Sequence, residues 1–345
     1  MKIVYLTFLL ALSPVYSMKV NDLGFLYPLN LEIDQYLMLK DISKDYQISK
    51  LPPQLLDAKN RFFVIALKFE PCSQETTKSD CVYQIRFVLQ NTFRNISGRP
   101  LFKDKLNLQD NALHVFYDLS KSEYIKLVKH SSKFNKNNTN WIHQLFHSKK
   151  KTKKFHKKIV KTIKNKKPSL ITAMIGDGVA SWKFFKIFPK QTIESEIDIF
   201  SVFGHNTNRL SLTELECMSR FRDGCKSIID PIMKKIQIIE NPKLTHVNSI
   251  DCASCHIPEA FKASAHYSRS KYTEAFTDLG LKKYYLNTLN SHEKIYHPAN
   301  MRHLGYFGND QSISTRVRNE LKLALIRTNS LLEGTSLSWL ISFIL

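Results

Sequence analysis

An α+β fold, with antiparallel β hairpins and packed helices, is predicted from three features of the sequence. Two runs dense in β-branched and aromatic residues, 61–69 and 81–89, are separated by a short polar loop, which is the pattern of a hairpin. A second β unit spans 169–203 and contains Gly176-Asp177-Gly178, whose Asp-Gly pair is a strong tight-turn signal. Apolar residues at helical spacing recur between and after these units, near 110–130, 149–167 and 313–332.

In chain order, residues 18–60 are mixed. Leu23, Phe25, Leu26, Leu29 and Leu31 suggest an extended or looped apolar segment, and Leu51-Pro52-Pro53 breaks it. The strands at 61–69 and 81–89 follow. The loop joining them begins at Cys72 and ends at Cys81, so a Cys72–Cys81 bridge would staple the hairpin. Leu113, Phe116, Tyr117, Tyr124 and Leu127 predict a helix over 110–130, with Ser120 as a plausible helix start. Trp141, Ile142, Leu145 and Phe146 open a further helical segment. Leu170 to Ile175 and Val179 to Phe188 flank the Asp-Gly turn as strands, and a third strand is expected within 191–203. Residues 212–229 read as helical, with Cys217 and Cys225 placed for a local disulfide. Residues 233–239 are short and apolar, 300–308 read as a glycine- and aromatic-containing loop, and 313–332 as an amphipathic helix.

Residues 149–167 carry eleven lysines among 19 residues and no acid. Phe155, Ile159, Val160 and Ile163 punctuate the run as an apolar stripe on a basic helix. Two readings stand side by side. The run is either an anion-binding face or the solvated side of a docked helix. His147 and His156 in this region lack partners that suggest a metal. The whole chain has 51 Lys+Arg against 30 Asp+Glu, a formal charge of +21, which predicts attraction to anionic surfaces and says nothing of fold.

The first 17 residues have the pattern of an export signal. Lys2 is followed by the apolar run 3–12, a break at Pro14, and Ser17 as a small residue at the cleavage point. About ten apolar residues are too few to span a bilayer, which takes roughly 20. The expected location is the periplasm or the extracellular space, with no transmembrane helix. In such a compartment six cysteines in three close pairs normally form disulfides.

Cys252-Ala253-Ser254-Cys255-His256 names a chemistry directly, because Cys-x-x-Cys-His is the attachment signature of a c-type haem. Two thiols three positions apart add to the two haem vinyl groups, and the adjacent imidazole is held under the iron as a fixed axial ligand. Ile257-Pro258-Glu259-Ala260 reads as a helix start. A sixth ligand is expected from a later segment, and Met301 and His303 are the best-placed candidates. Three rival readings exist: a structural Cys252–Cys255 disulfide, a thiol–disulfide exchange site and a zinc site. No strand–helix–strand pattern leads into the motif, which argues against exchange, and an oxidising compartment argues against zinc.

The motif resembles that of cytochromes c, in which the same run begins a helix. Together with the 300–308 loop and the 313–332 helix, it is similar to a set of uncharacterised exported bacterial proteins with one such motif each. That resemblance runs from about residue 242 to 329 and implies no activity. The expected organisation is a signal peptide at 1–17, an α+β domain at 18–240, and a helical part at 241–335 that is either separate or integral to the same domain. An apolar tail at 336–345 completes it. The expected function is a monohaem c-type protein, carrying haem c, in electron transfer or haem binding. The alternative is a haem-free exported envelope or binding protein with local disulfides Cys72–Cys81, Cys217–Cys225 and Cys252–Cys255. Its partner would be a redox protein or an anionic envelope surface met through the Lys-rich segment, and nucleic acid is not expected. No metalloprotease helix, nucleophile elbow or phosphate loop points to an enzyme.

Overall fold

A computed structural model describes residues 18–43, 62–72, 81–92, 108–134, 141–176, 182–187, 197–198, 229–245, 304–307 and 310–332. Its architecture is α+β, built on one antiparallel sheet whose strand order follows the chain. The strands are β1 (Gly24–Leu26), β2 (Phe62–Glu70), β3 (Tyr83–Thr92), β4 (Leu108–Leu119), β5 (Leu170–Gly176), β6 (Trp182–Ile187) and β7 (Ile197–Asp198). A second, two-stranded sheet pairs β8 (Leu304–Phe307) with β9 (Asp310–Ile313). The helices are α1 (Val20–Leu23), α2 (Leu39–Ile42), α3 (Lys121–Ser132), α4 (Lys149–Ile163), α5 (Ile229–Glu240) and α6 (Thr315–Leu332).

β2 is the second strand of the sheet, between β1 and β3, and its nine residues are all buried. Its sequence, Phe-Phe-Val-Ile-Ala-Leu-Lys-Phe-Glu, is apolar on both faces, as a doubly covered strand requires. It pairs with β3 from Phe62↔Asn91 to Glu70↔Gln84, with one irregularity between Val64 and Ala66. On its other side β1 covers Ala66 to Lys68. Met38 bridges Phe63 beyond that, so the exposed edge of β2 is filled by the chain's own N-terminal segment.

The 110–130 segment is half strand and half helix, which corrects the helix expected there. Residues 108–119 form β4, paired with β3 on one side and β5 on the other. Residues 112–117 are buried without interruption. A strand covered on both faces loses its two-residue alternation, and Leu113, Phe116 and Tyr117 then mimic a helical spacing. The helix begins where Ser120 was expected to start one. Its hydroxyl accepts the Glu123 amide at 3.2 Å, and the Glu123 carboxylate accepts the Ser120 amide at 2.7 Å, a complete capping box.

Residues 304–307, expected as loop, form β8, a second correction. The β8–β9 hairpin packs against β2, β3 and β4. The Gln90 side chain reads its backbone in both directions, donating to the Tyr306 carbonyl at 2.9 Å and accepting from the Tyr306 amide at 2.8 Å. A Cβ on Gly305 would lie 2.7 Å from that Gln90 amide oxygen, so only glycine permits the approach. β8 pairs locally with β9, and its other edge is held by a side chain 216 residues away.

The remaining elements close one core. Tyr124 of α3 bonds Thr328 of α6 at 2.7 Å, and Leu321 of α6 fills the space above Gly24 of β1. Leu304, Tyr306, Val317, Leu321 and Ala324 therefore share a single cluster with β1–β5, α3 and α4. Residues 233–239 lie within α5, and Pro231 falls in its first turn, where no helical N–H partner is lost. No described helix is long and apolar enough to cross a membrane.

The Cys72–Cys81 bond forms as expected and closes the β2–β3 connection. Arg327 of α6 donates to the Cys72 carbonyl at 2.8 Å, tying that corner to the last helix. Converting both Cys72 and Cys81 to Ser should lower the unfolding free energy by about 2–3 kcal/mol, the entropy of a loop this short. Urea denaturation of the oxidised wild type against the double variant measures it.

Candidate functional site

Cys252, Cys255, His256, Met301, His303, Cys217 and Cys225 lie outside the described residues, as do the 1–17 segment and the 336–345 tail. What the structure supplies are the two anchors of the 246–303 segment and the surface beside them. Among the described residues no group of three or more His, Cys, Asp or Glu side chains is placed to hold a metal.

The anchors depend on a buried charge network. Lys68 is fully buried in β2, an unusual place for an ammonium unless it is paired. It contacts Glu70 at 2.5 Å and also the Glu320 carboxylate of α6. Glu70 receives Arg86 of β3 at 3.0 Å, and the Arg86 guanidinium lies over the Phe116 ring of β4 at 4.6 Å. Glu320 receives Arg316, one turn earlier, at 2.6 Å. Burial alone would push the Glu320 carboxyl up. The charges of Lys68, Arg316 and Arg86 outweigh it and hold that carboxyl well below the ordinary carboxylate range.

The other arms of Arg316 reach the end of α5. Its guanidinium donates to the Ile239 carbonyl, to the Thr245 hydroxyl and, at 2.7 Å, to the Thr245 carbonyl. Thr245 also caps α5 by donating to the Ile239 carbonyl at 2.9 Å. The chain leaves this point toward residue 246. It returns at Leu304, which pairs with Ile313, three residues before Arg316. Both ends of the 246–303 segment are thus held at the start of α6.

Beside these anchors lies a groove of about 630 Å³ between α5 and α6. Pro242, Leu323 and Ile326 give it apolar walls, and Lys243, Arg318 and Lys322 give it cations. Ile326 is 49% exposed, uncommon for an isoleucine facing a groove. A second cavity of about 40 Å³, bordered by Arg86, Arg316, Arg327 and Glu320, is too small for an organic ligand.

The Lys-rich run forms α4, docked on the core. Of the expected stripe, Phe155, Ile159 and Ile163 are buried, together with Thr152 and His156, and Val160 is half-buried against the core. His156 is hydrogen-bonded to the Tyr27 hydroxyl at 2.9 Å. The stripe therefore faces the protein, while Lys150, Lys153, Lys154, Lys157 and Lys161 are exposed. Nearby, the Leu145 amide donates to Nδ1 of the buried His143 at 3.1 Å. Its proton consequently sits on Nε2, which faces the Ser131 hydroxyl at 3.2 Å. Burial pushes His143 down to about 3 and His156 down to about 4.

Sequence reasoning did not single out Lys68, Glu70, Arg86, Arg316 or Glu320. A signal existed: Lys68 and Arg86 each interrupt an otherwise apolar strand at a position directed into a covered face. Comparison with protein-family models, characterised proteins and solved structures finds no match to this chain.

Two predictions follow from these contacts. Glu320→Gln leaves the Lys68 ammonium short of a buried counter-charge and should cost roughly 3–5 kcal/mol at neutral pH. Adding Lys68→Met should recover part of that loss, and urea denaturation of the three proteins tests it. The histidines set a pH dependence. They stay neutral in the fold but gain a proton near pH 6.5 in the unfolded chain. The unfolded state therefore binds more protons below about pH 6.5, so stability falls as the pH drops from there toward about 4. The slope approaches ~1.4 kcal/mol per pH unit for each such histidine. His156→Gln should flatten the stability–pH curve in that window, and an unchanged slope would contradict a neutral, buried His156.

Proposed function

We propose that this chain is an exported monohaem c-type protein that carries single electrons. The observation that carries the reading is Cys252-x-x-Cys255-His256. Cys252 and Cys255 would tether the haem, His256 would be the proximal ligand, and Met301 or His303 the distal one. Bound haem supplies reversible one-electron chemistry at its iron.

The surroundings support this reading. Cys252 lies seven positions after Thr245, and Met301 three positions before Leu304. An extended chain covers at most about 3.5 Å per residue. The two ligand-bearing stretches therefore start from anchors beside the N-terminus of α6 and are tethered within about 25 Å and about 11 Å of them. The α5–α6 groove at these anchors offers the apolar walls and the cations that a flat macrocycle with two carboxylates calls for. Arg316 contributes by fixing Thr245, and so the point from which the motif is launched.

A second reading is favoured by one observation, the Cys72–Cys81 disulfide. If close pairs are the rule in this chain, Cys252–Cys255 is a further local disulfide and the protein is a haem-free exported binding or envelope protein.

Expression of the full chain with c-type haem attachment machinery separates the two. The haem reading expects a c-type pyridine haemochrome spectrum and a mass increased by one haem, both abolished by Cys252→Ala with Cys255→Ala. Met301→Ala and His303→Ala should differ, only the true distal ligand altering the spectrum. A colourless protein of apoprotein mass, with Cys252 and Cys255 protected from alkylation until reduced, establishes the disulfide reading instead.

A further inference from the structure

We propose that α3 and α4 together form a docking surface for an anionic phospholipid bilayer, bound through charge alone and without insertion. This stands independently of whether haem is attached.

The fold joins two sets of lysines that the sequence keeps apart. Lys126 and Lys133, on and just after α3, converge on Lys154 and Lys158 of α4. The Lys158 ammonium donates to the Lys126 carbonyl at 3.3 Å. Burial, then the charges of Lys126, Lys133 and Lys154, pull its pKa below that of an ordinary lysine. His130 sits among the same lysines with its Nε2 unbonded and its ring stacked on Phe155. Lys151 extends the cluster, its ammonium 5.6 Å from the centre of the Phe134 ring.

Few acids relieve this concentration of charge. Among the described residues, the ion pairs on the two helices are Lys149 with Glu32 and Asp34 at one end, and Lys166 with Glu123 at the other. The lysines between them take no part in these pairs, and Lys126, Lys133, Lys150, Lys153, Lys154 and Lys157 are exposed. The 15 residues of α4 extend over about 22 Å, so the surface spans many phosphate groups rather than one small anion.

The chemistry of the face selects a lipid surface over nucleic acid. Residues 121–167 contain no arginine, the side chain that grips phosphate and guanine edges in two-pronged fashion. Ile33, Ile238, Leu244 and Ile326 are the large apolar side chains exposed among the described residues, so no exposed aromatic ring offers a stacking platform for bases. Point charges on flexible stems suit a fluid array of headgroup phosphates. Insertion of α4 is excluded by packing: Phe155, Ile159 and Ile163, which would enter an acyl layer, are committed to the core.

The test is co-sedimentation of the full chain with phosphatidylcholine vesicles, with and without phosphatidylglycerol. Binding should require phosphatidylglycerol and fall steeply as salt rises from about 50 to about 200 mM. Lys126→Gln with Lys133→Gln, both on the α3 side, should weaken it roughly twenty- to thirty-fold, at about fivefold per lysine near an anionic surface. Lys234→Gln with Lys235→Gln, both on α5 and outside the α5–α6 groove, should leave it unchanged. Because the α3 pair removes repulsion, its thermal stability should equal or exceed that of the wild type, which excludes misfolding. Equal binding to neutral vesicles, tighter binding to duplex DNA at matched salt, or wild-type binding by the α3 pair would each overturn the proposal.

Discussion

The Lys68 ammonium is the constraint on which the rest of the structure depends. It stands in β2, fully buried, and its two carboxylate partners come from places far apart in the chain: Glu70 two residues on, and Glu320 in the last described helix. Removing an ammonium from water costs several kcal/mol, and only close, well-directed carboxylates offset it. That requirement fixes where α6 crosses β2. Once Glu320 is placed, Arg316 one turn away is placed too, and with it Thr245 and the end of α5. A chain of charge pairs thus runs from the sheet to the mouth of the 246–303 segment. Apolar residues of equal volume would fill the same space, but they would impose no register on α6 and hold no contact with Thr245.

Much of the sheet was legible in the sequence because its strands announce themselves by composition. Phe62 to Phe69 and Tyr83 to Leu89 are rich in β-branched and aromatic residues, and the cysteines at the ends of their connection marked the pairing. The part that was misread is instructive. β4 lies between β3 and β5 with both faces covered, so Leu113 to Tyr117 carry no alternation and pass for a helix. β8 was hidden for a different reason. Its backbone is held by the side-chain amide of Gln90 and by packing on β2, neither of which leaves a trace within residues 304–307. Local pattern reports local cause: the cover on β4 is distant, while β8 has a partner of only four residues, β9, and its further support in Gln90 is distant.

The candidate site divides in the same way. The Cys252-x-x-Cys255-His256 run is a local signal, contained in five consecutive residues. Of the anchors that position its segment, Leu304 with Ile313 is a local hairpin pair, whereas Arg316 with Thr245 spans 71 positions and no short window of sequence contains it. Helix α4 was ambiguous from sequence because a docked basic helix and a membrane-surface helix share one pattern, an apolar stripe beneath lysines. Packing resolves half of that ambiguity. Phe155, Ile159 and Ile163 belong to the core, so whatever meets α4 meets its charges.

The exposed lysines also bear on stability. Lys126, Lys133, Lys154 and Lys158 repel one another, and the repulsion is opposed by burial of the side chains beneath them, chiefly Tyr124, Leu127, Phe155 and Ile159. A face kept charged against its own self-repulsion is a cost that apolar burial alone does not require, since neutral polar residues would solvate α3 and α4 equally well. His130 extends the same tension inward. Burial and the adjacent ammonium groups push it down to about 4, so it stays neutral and adds no further charge. The helices are thus built to present lysine charge outward while admitting none beneath it. A partner that brings negative charge to that face relieves strain already present in the free protein.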